Sequence, residues 1–364
     1  MMRAPTSFAV AVRRRDSAIL VRERPMSGGG RTGLAKLPFV RGVAALVETI
    51  RLGGEALQFS AEQFERDLIA QEEEEAAAAK RRPPPSITAM WTFLLSLAMS
   101  VFAMATLDPS SEPGGRPEDA DDVQKPRGLN WVSAILPVAF LIALPQIAAA
   151  GADRIFHLHL DVQAPAFQAL TGLFKLTIVL SFLLLMRRVP DMRRTFQYHG
   201  AEHKTISTYE ANEALTVENA RTKTTLHPRC GTTFLVMVVL LSVLVFTAIG
   251  QFLPRIHTGS VIADNVVFFL EKLPFLPVLA GLAFEVQRLF ARNCTQGPLR
   301  ALLWPGFLVQ KITTIEPDEA QLEIAMASLR ATLFREADAT AGTSGDVVFP
   351  SYEALVGAGA LRAA

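Results

Sequence analysis

Four long apolar stretches limit what this chain can fold into. They are 19 to 23 residues long and contain one charge between them, at Lys175. The four stretches are residues 86–107, 131–150, 168–186 and 231–253. A fifth stretch, residues 273–290, is weaker because it contains two prolines, Glu285 and Arg288. A helix needs roughly 20 apolar residues to cross a bilayer. One such run can be a buried soluble helix, but four favour a mainly α, multi-pass membrane helical bundle of four to five spans.

The composition agrees with a lipid bilayer as the main partner. Half of the 364 residues are hydrophobic and 20% are charged, below the usual quarter of soluble domains. Lysine and arginine number 36 against 35 acidic residues, so the chain lacks the basic excess of a nucleic-acid-binding protein and no nucleic-acid partner is expected. The apolar content also excludes a disordered chain, and two cysteines cannot form a disulfide framework.

The organisation along the chain changes several times. Residues 1–24 lack the apolar core of a secretory signal, and Phe8, Val10 and Val12 alternate with small residues as in a β-hairpin. We predict seven segments, in chain order: an N-terminal β-hairpin and linker (1–36), amphipathic and charged cytoplasmic helices (37–85), membrane helices with a disordered acidic insert at 108–130 (86–187), a cytoplasmic metal-site loop (188–230), a membrane helical hairpin (231–292), a C-terminal amphipathic region (293–337) and a flexible tail (338–364).

Basic clusters orient the chain in the cytoplasmic (inner) membrane. They precede the first apolar run at Lys80–Arg82, recur through residues 187–229 and again beyond residue 288, which predicts cytoplasmic N- and C-termini. Three full crossings cannot join two cytoplasmic segments, so one of the first three runs should be re-entrant or interfacial. Pro137 and Pro145 make residues 131–150 the candidate. Four crossings with one partial insertion then fit, and five full crossings is the alternative.

The chemistry concentrates in the loop before the fourth apolar run. His199 and His203 form an H-x-x-E-H string with Glu202. On a helix, residues i and i+4 lie about 40° apart, so both imidazoles can bind one divalent metal ion, with zinc the expected identity. Glu202 projects beside that face and is the candidate general base, as in the inverted zincin motif.

Further candidate ligands follow within the same loop. His227 and Cys230 form a second pair in a tight His-Pro-Arg-Cys turn, and either can supply the third metal ligand. Glu210 is a candidate ligand or a residue that orients one, and with Glu202 it completes the predicted catalytic pair. Each residue has a structural alternative: interfacial histidines, a capping His227, a small buried Cys230 and a solvated Glu210. Their co-location favours a metal site.

Three strings in this loop resemble one bacterial family. YHGAEHKTISTYE, LTVENAR and HPRCGT are similar to the YqhQ-like membrane proteins, a domain of unknown function (1385) often labelled a predicted metal-dependent enzyme. LPFVRGVAALVETI and the region after residue 291 extend the likeness to nearly the whole chain. The resemblance implies a multi-pass membrane protein without an established substrate. Its motif falls on Tyr198, His199, Glu202, His203, Lys204, Glu210, His227, Arg229 and Cys230.

Three functions are compatible with these patterns. The first is a metal-dependent hydrolase whose site faces the cytoplasm and whose substrate is unknown. The second is a non-enzymatic membrane scaffold or assembly factor, in which a metal-stapled loop binds a membrane or cytoplasmic protein partner. A metal transporter or sensor is less favoured, because the ligands lie in a polar loop and transport sites usually lie near the bilayer midplane.

Overall fold

The computed structural model describes residues 1–26, 37–79, 131–254, 261–294, 297–337 and 346–358. The apolar run 86–107, the acidic insert 108–130 and most of the N-terminal linker lie outside the described residues. The described helices are, in chain order, α1 (Val40–Ala79), α2 (Trp131–Ile155), α3 (Pro165–Met186), α4 (Pro190–Glu210), α5 (Val217–Thr222), α6 (Gly231–Ile249), α7 (Val261–Lys272), α8 (Leu276–Asn293), α9 (Trp304–Thr313), α10 (Glu319–Ala337) and α11 (Tyr352–Gly357).

The two ends of the chain build one antiparallel sheet. Its strands are β1 (Met2–Arg3), β2 (Ser7–Arg13), β3 (Ile19–Pro25) and β4 (Asp346–Phe349), in that spatial order. The predicted hairpin is confirmed: β2 pairs with β3 from Ser7↔Pro25 to Arg13↔Ile19. The flexible tail predicted for residues 338–364 is wrong over its middle part, where β4 pairs with β3 and α11 follows. Four strand residues are too few for an alternation to be recognised in the sequence.

Helix α10 joins this sheet to the helix that carries the H-x-x-E-H string. One of its faces buries Ile324, Ala327 and Ala331 against strands β2 and β3. Another buries Leu322 and Met326 in a cluster that includes Ala201 of α4 and Ala220 of α5. The sequence predicted an amphipathic region here (293–337), which implies one apolar face. The helix instead lies between two partners, so small and apolar side chains cover most of its circumference.

Helix α1 covers the other face of the sheet. Phe59 is 1% exposed and contacts Phe8, Val10 and Leu20, while the Arg22 guanidinium lies 3.9 Å from the centre of its ring. The predicted pair of amphipathic and charged helices is therefore one continuous helix over Val40–Ala79. Its N-terminal end packs against α8, where Arg41 Nε donates to Glu285 Oε1 at 2.6 Å.

Three described helices are long and apolar enough to cross a membrane: Pro165–Met186, Gly231–Ile249 and Val266–Asn293. This is fewer than the four to five spans expected, although the run 86–107 lies outside the described part. The weak fifth stretch belongs to the last of the three, in which α7 and α8 are joined by a 3₁₀ turn at Leu273–Phe275. Helix α2 continues through Pro137 and Pro145 without a break.

The three apolar helices have two distinct ends. At one end, Arg187 after α3 donates to the carbonyls of Lys311 and Ile312, and Gln287 of α8 donates to the carbonyl of Cys230. At the other end, Gln163 Nε2 donates to the Pro254 carbonyl at 2.9 Å. The loop before α3 therefore lies beside the loop after α6, and the sheet and helices α4, α5 and α10 lie at the opposite end.

Candidate metal centre

Helix α4 presents two histidines on one face. Pro190 lies in its first turn, where a missing N–H costs nothing, and Asp191 complements the positive end of the helix dipole. The helix ends at Glu210, and Asn212 then adopts a positive φ of 56°, which asparagine tolerates better than most residues. The rings of His199 and His203 lie 4.5 Å apart between centroids, as the i and i+4 spacing predicted.

Cys230 completes a group of three. It is the residue before α6, and its Sγ lies 3.1 Å from His199 Nε2. One ligand atom from each of His199, His203 and Cys230 lies within 4.8 Å of the other two. His203 and Cys230 are buried, with exposed fractions of 4% and 6%. Two nitrogens and one sulfur at this separation can all reach a single transition-metal ion.

Both imidazoles are oriented by backbone carbonyls. His199 Nδ1 lies 3.0 Å from the Thr313 carbonyl oxygen, and His203 Nδ1 lies 2.5 Å from that of Thr225. A carbonyl oxygen only accepts, so each Nδ1 carries the proton that it donates, and Nε2 is the ring nitrogen left to bind a metal ion. Metal-binding histidines are generally held in this way, which fixes the tautomer that can bind the ion.

The electrostatics of Cys230 favour its thiolate form. Burial raises the pKa of the thiol, but hydrogen bonds from His199 and His203 outweigh that effect and lower the pKa to about 5. For His199, burial lowers the pKa, yet the hydrogen bond and charge of Cys230 dominate and raise it. Thr232 Oγ1 also lies 3.1 Å from the sulfur. A thiolate is the form of cysteine that binds metal, so the protein supplies the ligand already ionised.

His227 lies beside this group but is not part of it. Its ring centre is 5.7 Å from that of His203, and its Nε2 lies 3.3 Å from Glu210 Oε2. The other oxygen of Glu210 accepts a hydrogen bond from Arg229. Burial lowers the pKa of His227, which favours the neutral ring. Glu210 thus orients His227 and Arg229, and of the two candidates for the third ligand only Cys230 joins the histidine pair.

Glu202 is separate from the three ligand atoms. Its Oε1 lies 2.5 Å from the backbone nitrogen of Met1, and its side chain is 28% exposed. Its negative charge nevertheless contributes to the raised pKa of His199, so it lies within electrostatic range of the group. The structure therefore places the predicted general base next to the candidate metal centre without a hydrogen bond to any of the three.

Two buried glutamines hold the His227–Cys230 turn, and sequence reasoning missed both. Gln310 of α9 is fully buried, accepts from His227 N at 2.8 Å and donates to the His227 carbonyl at 2.7 Å. Gln287 Nε2 donates to the Cys230 carbonyl at 2.9 Å. The sequence carries no clear signal for either residue, because Gln287 precedes Arg288 and Gln310 precedes Lys311, as a solvent-facing glutamine could. These contacts fix the backbone that carries Cys230, and so the distance from sulfur to histidine.

Comparison with known proteins confirms the resemblance in the motifs. The "Uncharacterized protein YqhQ" of Bacillus subtilis (strain 168) is 28% identical over 336 residues, which cover 91% of this chain and 88% of that protein. No solved structure gives a significant match. A family model described as "Protein of unknown function (DUF1385)" matches residues 37–335, which include all the candidate ligands and exclude the four strands. Because that match spans most of its length, the chain belongs to the DUF1385 family.

Proposed function

We propose that this chain is a multi-pass protein of the cytoplasmic membrane and a metal-dependent hydrolase. His199, His203 and Cys230 hold the ion. The observation that carries the proposal is the convergence of three ligand atoms within 4.8 Å, with both histidines fixed by carbonyls through Nδ1. Two imidazoles and a thiolate suit Zn²⁺ better than Mg²⁺ or Ca²⁺, which prefer oxygen ligands.

The number of protein ligands supports catalysis over a structural role. Structural zinc sites usually have four protein ligands, whereas catalytic sites have three and leave one position for water or substrate. Bound zinc would supply a water of lowered pKa at that position. Glu202, three residues after His199 on α4, is the carboxylate best placed to accept a proton there. Its present contact with the Met1 nitrogen at 2.5 Å would have to open for it to do so.

The side of the membrane follows from charge. The described residues between α3 and α6 contain numerous arginines and lysines, which favours a cytoplasmic position for the candidate metal centre. The three helices at Pro165–Met186, Gly231–Ile249 and Val266–Asn293 would anchor it. The lipid bilayer is then the main partner. A membrane or cytoplasmic protein can dock on the exposed surface of the sheet unit, which consists of strands β1–β4 and helices α4, α5, α10 and α11.

The metal content of purified protein tests the ligand set. We expect about one transition-metal ion per chain in detergent-purified protein, measured by inductively coupled plasma mass spectrometry. His203→Ala and Cys230→Ala should lose the ion. His227→Ala is the matched control, since His227 lies beside the group and binds Glu210 instead. Metal-free wild-type protein with native helical content, or loss of metal in His227→Ala alone, would contradict the proposed site.

The alternative is a scaffold whose loop is stapled by the metal. Glu202 makes no described hydrogen bond to the three ligands, which is the observation that favours it. Absorption spectra of the cobalt-substituted protein can distinguish the two functions even though no substrate is known. A hydrolase site should show visible absorption bands that titrate with pH as bound water ionises, and Glu202→Gln should shift that titration while keeping the cobalt. A scaffold site should show bands that do not change with pH and are insensitive to Glu202→Gln.

A further inference from the structure

A cavity between the apolar helices contains two lysines. Its volume is about 140 Å³, and α2, α3, α6 and the α7–α8 segment contribute to its wall. Lys175 lies in the middle of α3, and Lys272 is the last residue of α7. Both line the cavity, and Lys272 is only 4% exposed. The cavity is distant in the fold from the metal centre, which lies beyond the ends of these helices.

Both ammonium groups have only neutral partners. Lys175 Nζ donates to Ser242 Oγ at 3.2 Å, and Lys272 Nζ donates to Gln146 Oε1 at 3.2 Å. Lys272 also lies 4.3 Å from the ring centre of Phe268. In the part of the chain that the structure describes, no carboxylate lines the cavity and no ion pair involves either lysine. Glu271 precedes Lys272, but successive residues of a helix point about 100° apart and Glu271 is not in the cavity wall.

An anion would stabilise the charged form of two lysines that share one apolar cavity. Each buried charge loses its hydration, and two like charges in a medium of low polarity repel each other. Lysines within membrane helices are costly and usually mark a binding site or a pathway. An anionic group bridging the two ammonium groups would reverse the repulsion and form charge-assisted hydrogen bonds. The rest of the wall is mainly apolar, with residues such as Val239, Phe246 and Leu279.

We propose that this cavity is an anion site for a carboxylate or phosphate group, held between Lys175 and Lys272. The group belongs either to an amphiphile, such as a fatty acid or lipid headgroup, or to a free anion. Ser242 and Gln146 accept hydrogen bonds from the two lysines. They therefore lie close enough to form hydrogen bonds with the bound anionic group as well. The site does not involve the metal ligands, so the proposal stands apart from the hydrolase and scaffold functions.

Native mass spectrometry of the full chain in neutral detergent tests this directly. The protein is incubated separately with oleate, with methyl oleate and with inorganic phosphate. Methyl oleate is the matched ligand, because it keeps the chain and lacks the charge. We expect one oleate per chain and binding of methyl oleate that is weaker by more than about ten-fold. Lys175→Gln and Lys272→Gln should each weaken oleate binding by a similar factor. Lys311→Gln, an exposed lysine of α9, should bind as wild type.

The remaining outcomes are also decisive. Lysine-dependent binding of phosphate without oleate would support the site and assign it to a free anion. Lys272→Arg, which keeps the charge, should retain binding if Lys272→Gln proves unstable. Anion binding should persist after metal chelation, because the lysine cavity does not include the candidate metal ligands. Equal binding of oleate and methyl oleate, unchanged binding in both glutamine variants, or binding of neither anion by folded wild-type protein would overturn the proposal.

Discussion

Gly200 shows how closely the candidate metal centre depends on single residues. It lies on α4 between the two histidines, facing the segment after α9, and the Ile315 nitrogen donates to the Phe196 carbonyl at 3.0 Å. A β-carbon at position 200 would overlap the Ile315 carbonyl oxygen, a backbone atom that cannot swing aside. This close approach is what brings the Thr313 carbonyl within 3.0 Å of His199 Nδ1. Gly200 therefore has no side chain at the place where the Thr313 carbonyl must approach the His199 ring.

We accordingly predict that Gly200→Ala weakens both the fold and the centre. Pushing residues 313–316 away from α4 should lower the free energy of unfolding by about 1–3 kcal/mol, the usual cost of overpacking. It should also reduce metal retention, because His199 loses the acceptor that fixes its ring. Chemical denaturation and metal analysis of the same preparation measure both effects. Gly231→Ala is the control, since a β-carbon there meets nothing within 4 Å; equal behaviour of the two variants would refute the role of the close approach.

At the residue scale, the sequence predicted the members of the candidate ligand group better than the groups that hold them in place. Spacing alone placed His199 and His203 on one helix face, and co-location brought in Cys230. The acceptors could not be predicted, because Thr313 is 114 residues from His199 and a backbone carbonyl leaves no mark on the sequence. The separation of His227 from the group has the same origin: its pairing with Glu210 depends on how the turn before α6 is held by Gln310.

At the scale of elements, strand β4 shows how the two ends of the chain are joined. It has four residues, which bind β3 through the register Ile19↔Phe349 to Arg22↔Asp346. Arg22 and Asp346 form two parallel hydrogen bonds, from Nε to Oδ1 at 2.6 Å and from Nη2 to Oδ2 at 2.7 Å. The hairpin β2–β3 was predictable because its strands alternate and are seven residues long. Strand β4 was not, because it is ordered by its partner more than by its own pattern.

The two hydrogen bonds between Arg22 and Asp346 lead to a prediction about pH dependence. Hydrogen bonding to Arg22 holds the pKa of Asp346 below its usual value. A carboxyl group with a lowered folded-state pKa stabilises the fold above its unfolded pKa, near 4, and loses that contribution as the pH falls through its folded value. Asp346→Asn should therefore weaken the pairing of β4 at neutral pH by about 0.2–1 kcal/mol, the range for partly exposed pairs.

Hydrogen exchange of the β4 amides that donate to β3 measures this difference. Wild type should be better protected than Asp346→Asn at pH 7, and the two should converge as the pH falls below about 4. Glu218→Gln, at an exposed position on α5 away from the sheet, should exchange at β4 as wild type does. A difference between wild type and Asp346→Asn that persists unchanged in acid would show that the ion pair is not its source.

At the scale of the whole molecule, the sheet unit determines which segments share a side in the proposed membrane topology. Strands β1–β3, helices α4 and α5, and the segment from α10 to α11 contact one another, so all of them must lie on one side. Between α5 and α10 the chain passes through α6 and the Val266–Asn293 helix, an even number of crossings. Between β3 and α4 it passes through α3, so the segments before α3 must add an odd number. The basic clusters suggested the same parity, and the sheet supports it by direct contact.

Of the segments before α3, helix α2 is the one that the structure describes at a membrane-spanning length. Sequence reasoning suspected residues 131–150 of being re-entrant because of Pro137 and Pro145, but α2 is one helix of 25 residues. At about 1.5 Å per residue it is about 37 Å long, which exceeds the roughly 30 Å hydrocarbon core. It ends beside the start of α3, at the end of the bundle where Gln163 meets Pro254. In the proposed membrane topology we therefore expect α2 to cross fully and α3 to return.

Cysteine labelling with a membrane-impermeant maleimide tests this topology in whole cells and in lysates. The native Cys230 and Cys294 are buried and should contribute little background. Asp16→Cys, Glu218→Cys and Glu353→Cys should label only after lysis, as cytoplasmic positions do. Leu158→Cys and Phe252→Cys, in exposed loops at the far end of the bundle, should label in intact cells. Ala120→Cys then decides between the early segments. If α2 is the crossing, Ala120→Cys should label only after lysis, like Asp16→Cys. Labelling of Ala120→Cys in intact cells would instead assign the crossing to residues 86–107, and α2 would not span.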